Sequence, residues 1–358
     1  MPTADFHNKP FDEGTLTKLE IFELYTRGWL PVFLSAERPP CKELHIFDFF
    51  SGPGTDSTSA PGSPLRLIRQ LRNYKELLER SAVRIHVHFY DEDLGKIAQL
   101  KINIDLHRRD LSNVNFDIQS LRFEDAFRLS APTLANPKTA KLVFIDQTGV
   151  AQVTPEVFSK LGKSPICDFL FFISSSTLHR FRDHPAIKQK INPLDDYFHV
   201  HRVVLEYYRT LLPKGKKYFL APFSIKKGAN IYGIIFGSAH PRGIDKFLQV
   251  AWGTDEISGE ANFDINREDI RPDAPMLPFP EMRPSKITAF EYELETLLRK
   301  GQLSNEAEVM RICFEHGVKR QHAEPVLTKL KMENVIELDF RAPDIKRLDS
   351  PRPIRMKM

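Results

Sequence analysis

Cysteine is scarce in this chain and unordered where it occurs. Cys41, Cys167 and Cys313 are the only three; they are odd in number, far apart and never spaced Cys-x-x-Cys. That spacing excludes a disulfide framework and a cysteine-held zinc or iron–sulfur site, and leaves buried thiols. Long apolar runs are missing too: none approaches the roughly 20 residues that a membrane helix needs. Met1 to Gly14 is polar, with no apolar signal region, so a cytoplasmic chain without a membrane contact is the expectation. The one glycine-rich turn lacks a third glycine, which removes the usual dinucleotide fingerprint. A large charge excess is also absent. The formal net charge is +4, and it is gathered after Phe340, where Arg341, Lys346, Arg347, Arg352, Arg355 and Lys357 are opposed only by Asp344 and Asp349.

What the chain does have is size and apolar content. Its 358 residues, 41% of them hydrophobic, suffice for one large core and a small second one. Residues 44 to 54, Leu-His-Ile-Phe-Asp-Phe-Phe-Ser-Gly-Pro-Gly, form an apolar run that ends in an acid and two glycines. Leu44, Ile46 and Phe47 fit a buried strand of a parallel sheet. Asp48 falls at the strand end, and Gly52 and Gly54 allow a sharp turn and a close backbone approach to a ligand. A glycine pair of this kind serves either a cofactor or an ordinary loop.

The surrounding pattern alternates helix and strand. Thr17 to Leu34 carries Leu19, Phe22, Leu24, Tyr25, Trp29, Leu30 and Phe33 at helical spacing, opened by a threonine cap. Ser63 caps a second helix that begins with Pro64 and runs to about Arg80. Val83 to Tyr90 alternates as a strand and ends in Asp91-Glu92-Asp93. An acid at that strand end can accept hydrogen bonds from two vicinal ribose hydroxyls; equally, these acids can cap the following helix, Leu94 to Lys101, through its dipole. Val114 to Ile118 reads as a weak third strand with Asp117 near its end, a candidate adenine contact, or as loop. Leu142 to Ile145 is a fourth strand, ended by Asp146-Gln147-Thr148-Gly149, and Phe169 to Ile173 a fifth. Tyr218 to Pro222 and Ile231 to Gly237 form an antiparallel hairpin around Lys226-Lys227-Gly228.

Past an apolar helical face at Phe247, Leu248, Val250, Ala251 and Trp252, residues 256 to 285 are rich in Asp, Asn and Pro and read as a linker. Three amphipathic segments and a short strand at Val335 to Leu338 follow, in the manner of a winged helix, with Gly301 and Gly317 where helices should stop. The expected organisation is therefore a Rossmann-like α/β domain with its N-terminal helix at 1–255, a linker at 256–285, a winged-helix-like module at 286–341 and a basic tail at 342–358.

The pieces Lys18-Leu19-Glu20 through Trp29-Leu30-Pro31, Asp48-x-Phe50-Ser51-Gly52-Pro53-Gly54, Gly62-Ser63-Pro64-Leu65, Phe144-Ile145-Asp146, Tyr232-Gly233-Ile234-Ile235-Phe236 and Gly243-Ile244-Asp245-Lys246-Phe247 through Ala251-Trp252 occur in that order. With them the chain resembles the three-Cys-motif partner protein family, prokaryotic proteins with a class I methyltransferase-like domain that partner a radical-SAM-like protein. The resemblance covers most of residues 15 to 340. It implies a class I methyltransferase sheet of parallel strands with a terminal antiparallel hairpin. It also implies S-adenosylmethionine as cofactor, held by Asp48, Ser51, Gly52, Gly54, Asp91 and Asp117, and a radical-SAM-like partner. The family continues its fourth strand as Phe-Ile-Asp-Pro-Phe-Gly; here Asp146-Gln147-Thr148-Gly149 lacks the proline and the aromatic.

Methyl transfer from a sulfonium is an in-line displacement that demands positioning more than reactive side chains. Neither the Pro-Cys of a cytosine-C5 enzyme nor the Asp/Asn-Pro-Pro-aromatic of amino-directed enzymes follows the fourth strand. Asp146 is left to orient or deprotonate an acceptor and Gln147 to bind a planar amide or base edge; alternatively Asp146 merely bonds loop backbone. His86 and His88, and His199 and His201, place imidazoles on one face, but a metal needs a third ligand and no acid at close spacing supplies one. Lys319, Arg320, Lys346 and Arg347 are candidate contacts to DNA or to a protein partner. Two functions remain: a methyltransferase-like enzyme engaged in DNA modification or repair, and a non-catalytic adaptor that kept the fold.

Overall fold

A computed structural model describes residues 9–37, 39–109, 111–146, 153–174, 200–212, 218–227, 230–270 and 284–357. Two compact units are present, 1–243 and 244–358. Helix α8, Pro241–Thr254, carries the chain from one to the other.

In the first unit the strands are β1 Glu43–Asp48, β2 Arg84–Asp91, β3 Val114–Ser120, β4 Thr139–Ile145, β5 Cys167–Ser174, β6 Phe219–Lys227 and β7 Asn230–Ser238. They form one sheet in the order β3-β2-β1-β4-β5-β7-β6. The first five are parallel, and β7 lies antiparallel between β5 and β6. This is the Rossmann-like methyltransferase sheet, parallel strands with a terminal antiparallel hairpin, that the resemblance implies. Winding reverses between β1 and β4, so the crevice beyond their carboxyl ends is the natural ligand position of such a sheet.

Helices cover both faces because both sides of the central strands are apolar. On one face lie α1 Glu13–Leu34, α2 Ser63–Asn73 and α4 Leu94–His107; Phe22 of α1 stacks on Phe144 of β4 with ring centroids 4.3 Å apart. The buried Glu23 carboxylate ties α1 to α2 by accepting from Arg66 at 3.1 Å, Arg69 at 2.7 Å and Gln70 at 2.6 Å. On the other face, α5 Phe123–Ala135, α6 Pro155–Lys163 and α7 Val200–Thr210 enclose Phe47, Phe49, Tyr90, Val143, Phe169 and Phe171.

Local departures from expectation have local causes. Asp12, not Thr17, caps α1, accepting the Thr15 N–H at 2.9 Å, which starts the helix a turn earlier. The helix expected from Pro64 to Arg80 is interrupted at Tyr74, where φ −108° and ψ 18° end α2 before α3, Lys75–Arg80, begins. Asp117 is not at a strand end: β3 continues to Ser120, and Asp117 sits in its middle, paired in register with His88.

The second unit packs α9 Ser285–Arg299, α10 Glu306–Glu315 and α11 Glu324–Met332 around Phe290, Leu294, Leu298, Val309, Cys313, Leu327 and Leu330. A short antiparallel ladder joins β8 Ile336–Glu337 to β9 Arg355–Met356. The segment expected as a basic tail therefore returns to the helices over residues 342–357. The Ile354 N–H bonds Ser304 O at 2.7 Å, and the fully buried Glu306 accepts the Arg352 backbone N–H at 2.9 Å and its guanidinium at 2.7 Å. The start of the expected linker is ordered too: the Asp255 carboxylate accepts the N–H groups of Ile257, Ser258, Glu260 and Ala261.

Candidate functional site

The carboxyl edge of β1 passes into a loop that its own buried acid organises. Asp48, 1% exposed, accepts the Ser63 hydroxyl at 2.6 Å and the Phe50 N–H at 3.1 Å. It thus ties the strand end to the start of α2. Burial pushes its carboxyl up to about 7 even though both hydrogen bonds pull the other way. Ser51 is also buried, with its N–H and its hydroxyl both on Tyr90 O, at 2.9 and 3.0 Å. Both residues shape the loop from beneath.

The glycines follow. Gly52 and Gly54 take φ of 59° and 90°, left-handed values that an L side chain rarely adopts. A Cβ on Gly54 would lie 3.0 Å from Leu100 Cδ1. The loop is closed by Gly62 N–H on Gly54 O at 2.8 Å and by the Asn103 amide on Pro53 O at 2.8 Å. Asp56, which the sequence reading did not single out, anchors the rest of it, accepting from the N–H groups of Phe11 at 2.6 Å, Thr58 at 2.8 Å and Ala60 at 2.9 Å. Its signal was available as an Asp-x-Thr Asx turn.

The strand-end acids of β2 have different partners. Asp93 caps α4, accepting from Gly95 at 2.8 Å and Lys96 at 3.0 Å. Asp91 faces the glycine loop and accepts the Gly52 N–H at 3.0 Å on one oxygen and the Asp93 N–H at 3.0 Å on the other. Each of its oxygens keeps a second lone pair for a hydroxyl donor. Asp117 does not join this group: it accepts from Gln119 at 2.7 Å and the Tyr90 hydroxyl at 3.1 Å, and meets His88 Nδ1 at 3.2 Å, on the sheet face and three residues short of the edge.

At the end of β4, Asp146 meets a residue of the N-terminal helix. Lys18 of α1 places its ammonium 2.6 Å from Oδ1 and 2.5 Å from Oδ2, and the same nitrogen lies 4.6 Å from the centroid of the Phe172 ring. Gln147, Thr148, Gly149 and His199 lie outside the described residues. In the second unit, Arg320 is engaged within the fold: its Nε donates to Asp245 at 2.6 Å and Nη1 to Pro343 O at 2.5 Å. Lys319 lies 5.7 Å from the Trp252 ring centroid, while Lys346 and Arg347 are exposed.

No protein-family model and no curated protein matches the sequence. Among solved structures, the chain is similar to a SAM-dependent methyltransferase from Agrobacterium tumefaciens, at 9% identity over 63% of this chain and 62% of that one, with a TM-score of 0.34. It is similar to spermidine synthase from Thermotoga maritima at 12% identity over 66% and 63%, TM-score 0.33. A third is TYW2 of P. horikoshii, solved with MeSAdo, at 10% identity over 63% and 62%, TM-score 0.28. The matched part thus spans about three fifths of each of these proteins. The fold follows from the strand order and directions themselves.

Proposed function

We propose that the chain binds S-adenosylmethionine beyond the carboxyl ends of β1 and β2 and acts as a class I methyltransferase-like protein. One observation carries this reading: the tight turn at Gly52 and Gly54 bonds back to Asp91, the strand-end acid of the neighbouring strand. In a sheet of this winding, the glycines let a ligand approach the backbone and the acid accepts from ribose hydroxyls. Asp48 and Ser51 hold the turn in shape. The resemblance adds a radical-SAM-like partner, and the exposed Lys346 and Arg347 add DNA as a ligand in modification or repair.

The adaptor reading has an observation of its own. Asp146, the acid best placed to orient a methyl acceptor, is already neutralised by Lys18. In the enzyme, Lys18 holds Asp146 in its rotamer and an acceptor approaches the carboxylate beside it; in the adaptor, the pair is a structural pin.

Isothermal titration with S-adenosylmethionine and S-adenosylhomocysteine tests the reading, with Asp91→Asn as the variant because it keeps shape while removing charge. Micromolar binding by the native chain, weakened at least tenfold in Asp91→Asn, is expected. Absence of heat from the folded native chain would refute cofactor binding. Binding of cofactor without methylation of DNA or protein acceptors would favour the adaptor.

A further inference from the structure

At the opposite edge of the sheet the register assembles a polar group that the cofactor reading does not use. β1 and β2 are parallel, with Glu43 opposite Arg84, His45 opposite His86 and Phe47 opposite His88. Side chains in register share a face. Glu43, His45 and His86 consequently each bring one ligand atom within 4.8 Å of the others. Of the histidine pair in the sequence pattern only His86 takes part, and Glu43 and His45 of the neighbouring strand supply the other two ligands.

Hydrogen-bond direction gives the group its character. His88 Nδ1 meets the Asp117 carboxylate at 3.2 Å. A carboxylate only accepts, so that nitrogen carries the proton, and the Nε2 of a neutral His88 is an acceptor. His45 Nδ1, 3.0 Å from His88 Nε2, must then be the donor. The His45 Nε2 is left as a lone pair, 3.9 Å from Glu43 Oε2. Two acceptors thus face one another, too far apart for a hydrogen bond and with no proton of their own between them. The remaining Glu43 oxygen holds Arg84 at 2.8 Å. His86 Nε2 is buried without a hydrogen-bond partner. The Asn115 amide nitrogen lies 3.3 Å from His86 Nδ1; the amide's oxygen and nitrogen are interchangeable by a flip, and the flipped amide accepts the Nδ1 proton and leaves Nε2 a lone pair as well.

We infer that Glu43, His45 and His86 form a binding site for a divalent transition-metal ion of the zinc class. Two imidazoles and a carboxylate, with a water in the fourth position, are a common zinc set. The chain from His45 through His88 to Asp117 is the outer support that orients a metal-bound imidazole. Tetrahedral ligands at zinc lie about 3.4 Å apart, given bonds of about 2.0 Å, so the three atoms must draw in by roughly 1 Å. The His45 and His86 rings stack at 4.7 Å with planes 11° apart, and rotation of the less buried His86 ring turns its lone pair toward the ion. The nearby Lys141 ammonium is directed onto Asn136 O and Thr139 O, at 2.7 and 2.9 Å. Five residues of strand, roughly 16 Å, separate Glu43 from Asp48, which makes this a site distinct from the cofactor edge.

The test is titration of chelator-treated full chain with Zn2+ by calorimetry, with elemental analysis after dialysis and Co2+ as a spectroscopic probe. One ion per chain is expected, with ligand-field bands of four-coordinate Co2+ and a rise in Tm on adding Zn2+. Affinity should fall at least tenfold in Glu43→Gln and in His86→Asn, and roughly 10- to 100-fold in Asp117→Asn, which touches only the support. His316→Gln, paired with Glu293 elsewhere, should change nothing; circular dichroism confirms that each variant is folded. No retained ion in the native chain, or binding that survives both ligand substitutions, would overturn the inference.

Discussion

Lys18 of α1 and Asp146 at the end of β4 form a close ion pair, with the ammonium 2.6 and 2.5 Å from the two carboxylate oxygens. Their side chains are 9% and 19% exposed. Removing one partner strands the other in a poorly solvated position. Lys18→Met should cost about 1–3 kcal/mol of stability, and Asp146→Asn less. A double-mutant cycle in urea should return a coupling of ~1–2 kcal/mol. Additive effects would mean that the pair does no more than an exposed surface pair.

Asp48 should impose a pH dependence on folding. Its carboxyl rises from 3.8 to about 7 because it is buried. Between those values the folded chain keeps a proton that the unfolded chain releases. The stabilisation is therefore complete below 3.8, declines as pH rises through the window, and is gone above about 7. Asp48→Asn should flatten that part of the stability–pH curve. An unchanged slope would assign it to another group.

Gly54→Ala combines two penalties, a φ of 90° and a Cβ 3.0 Å from Leu100. A loss of about 1–3 kcal/mol is expected from backbone strain and crowding. Gly54→Ala/Leu100→Ala should recover none of the backbone part. Full rescue by the second substitution, seen in thermal melts, would show that contact and not conformation demands glycine.

Glu306 and Arg352 bear on whether the last residues are dispensable. Glu306 is fully buried, with the Arg352 guanidinium and backbone both bonded to it. Arg352→Ala should destabilise the second unit by about 3 kcal/mol, as for a buried carboxylate that loses its partner. Deleting residues 342–358 should do more. Proteolysis that trims this segment without loosening residues 284–341 would contradict the prediction.

If DNA binds this unit, Lys346 and Arg347 should carry the contact, because Arg320 already serves Asp245. Lys346→Glu/Arg347→Glu should weaken binding and lower the slope of log K against log salt by about two. A native chain that shows no salt-dependent DNA binding would leave these cations as solubilising charge.

Much of this protein was written locally. The apolar residues at 44–47 and the alternation at 83–90 marked β1 and β2 because strand burial repeats every second residue. The glycine turn was legible because positive φ selects glycine wherever it falls. The fold followed from the order of such signals. Partners were not legible in this way. Lys18 and Asp146 are 128 residues apart, His45 meets His86 only through strand register, and Glu306 finds Arg352 only when the chain end folds back. Asp117 stands apart from the glycine loop because β3 runs two residues farther than its apolar pattern, to Ser120. Periodicity and turn chemistry are properties of neighbours along the chain, so the sequence alone determined the elements and the glycine turn. Which charge meets which charge depends on register and packing, and only the tertiary structure decided it.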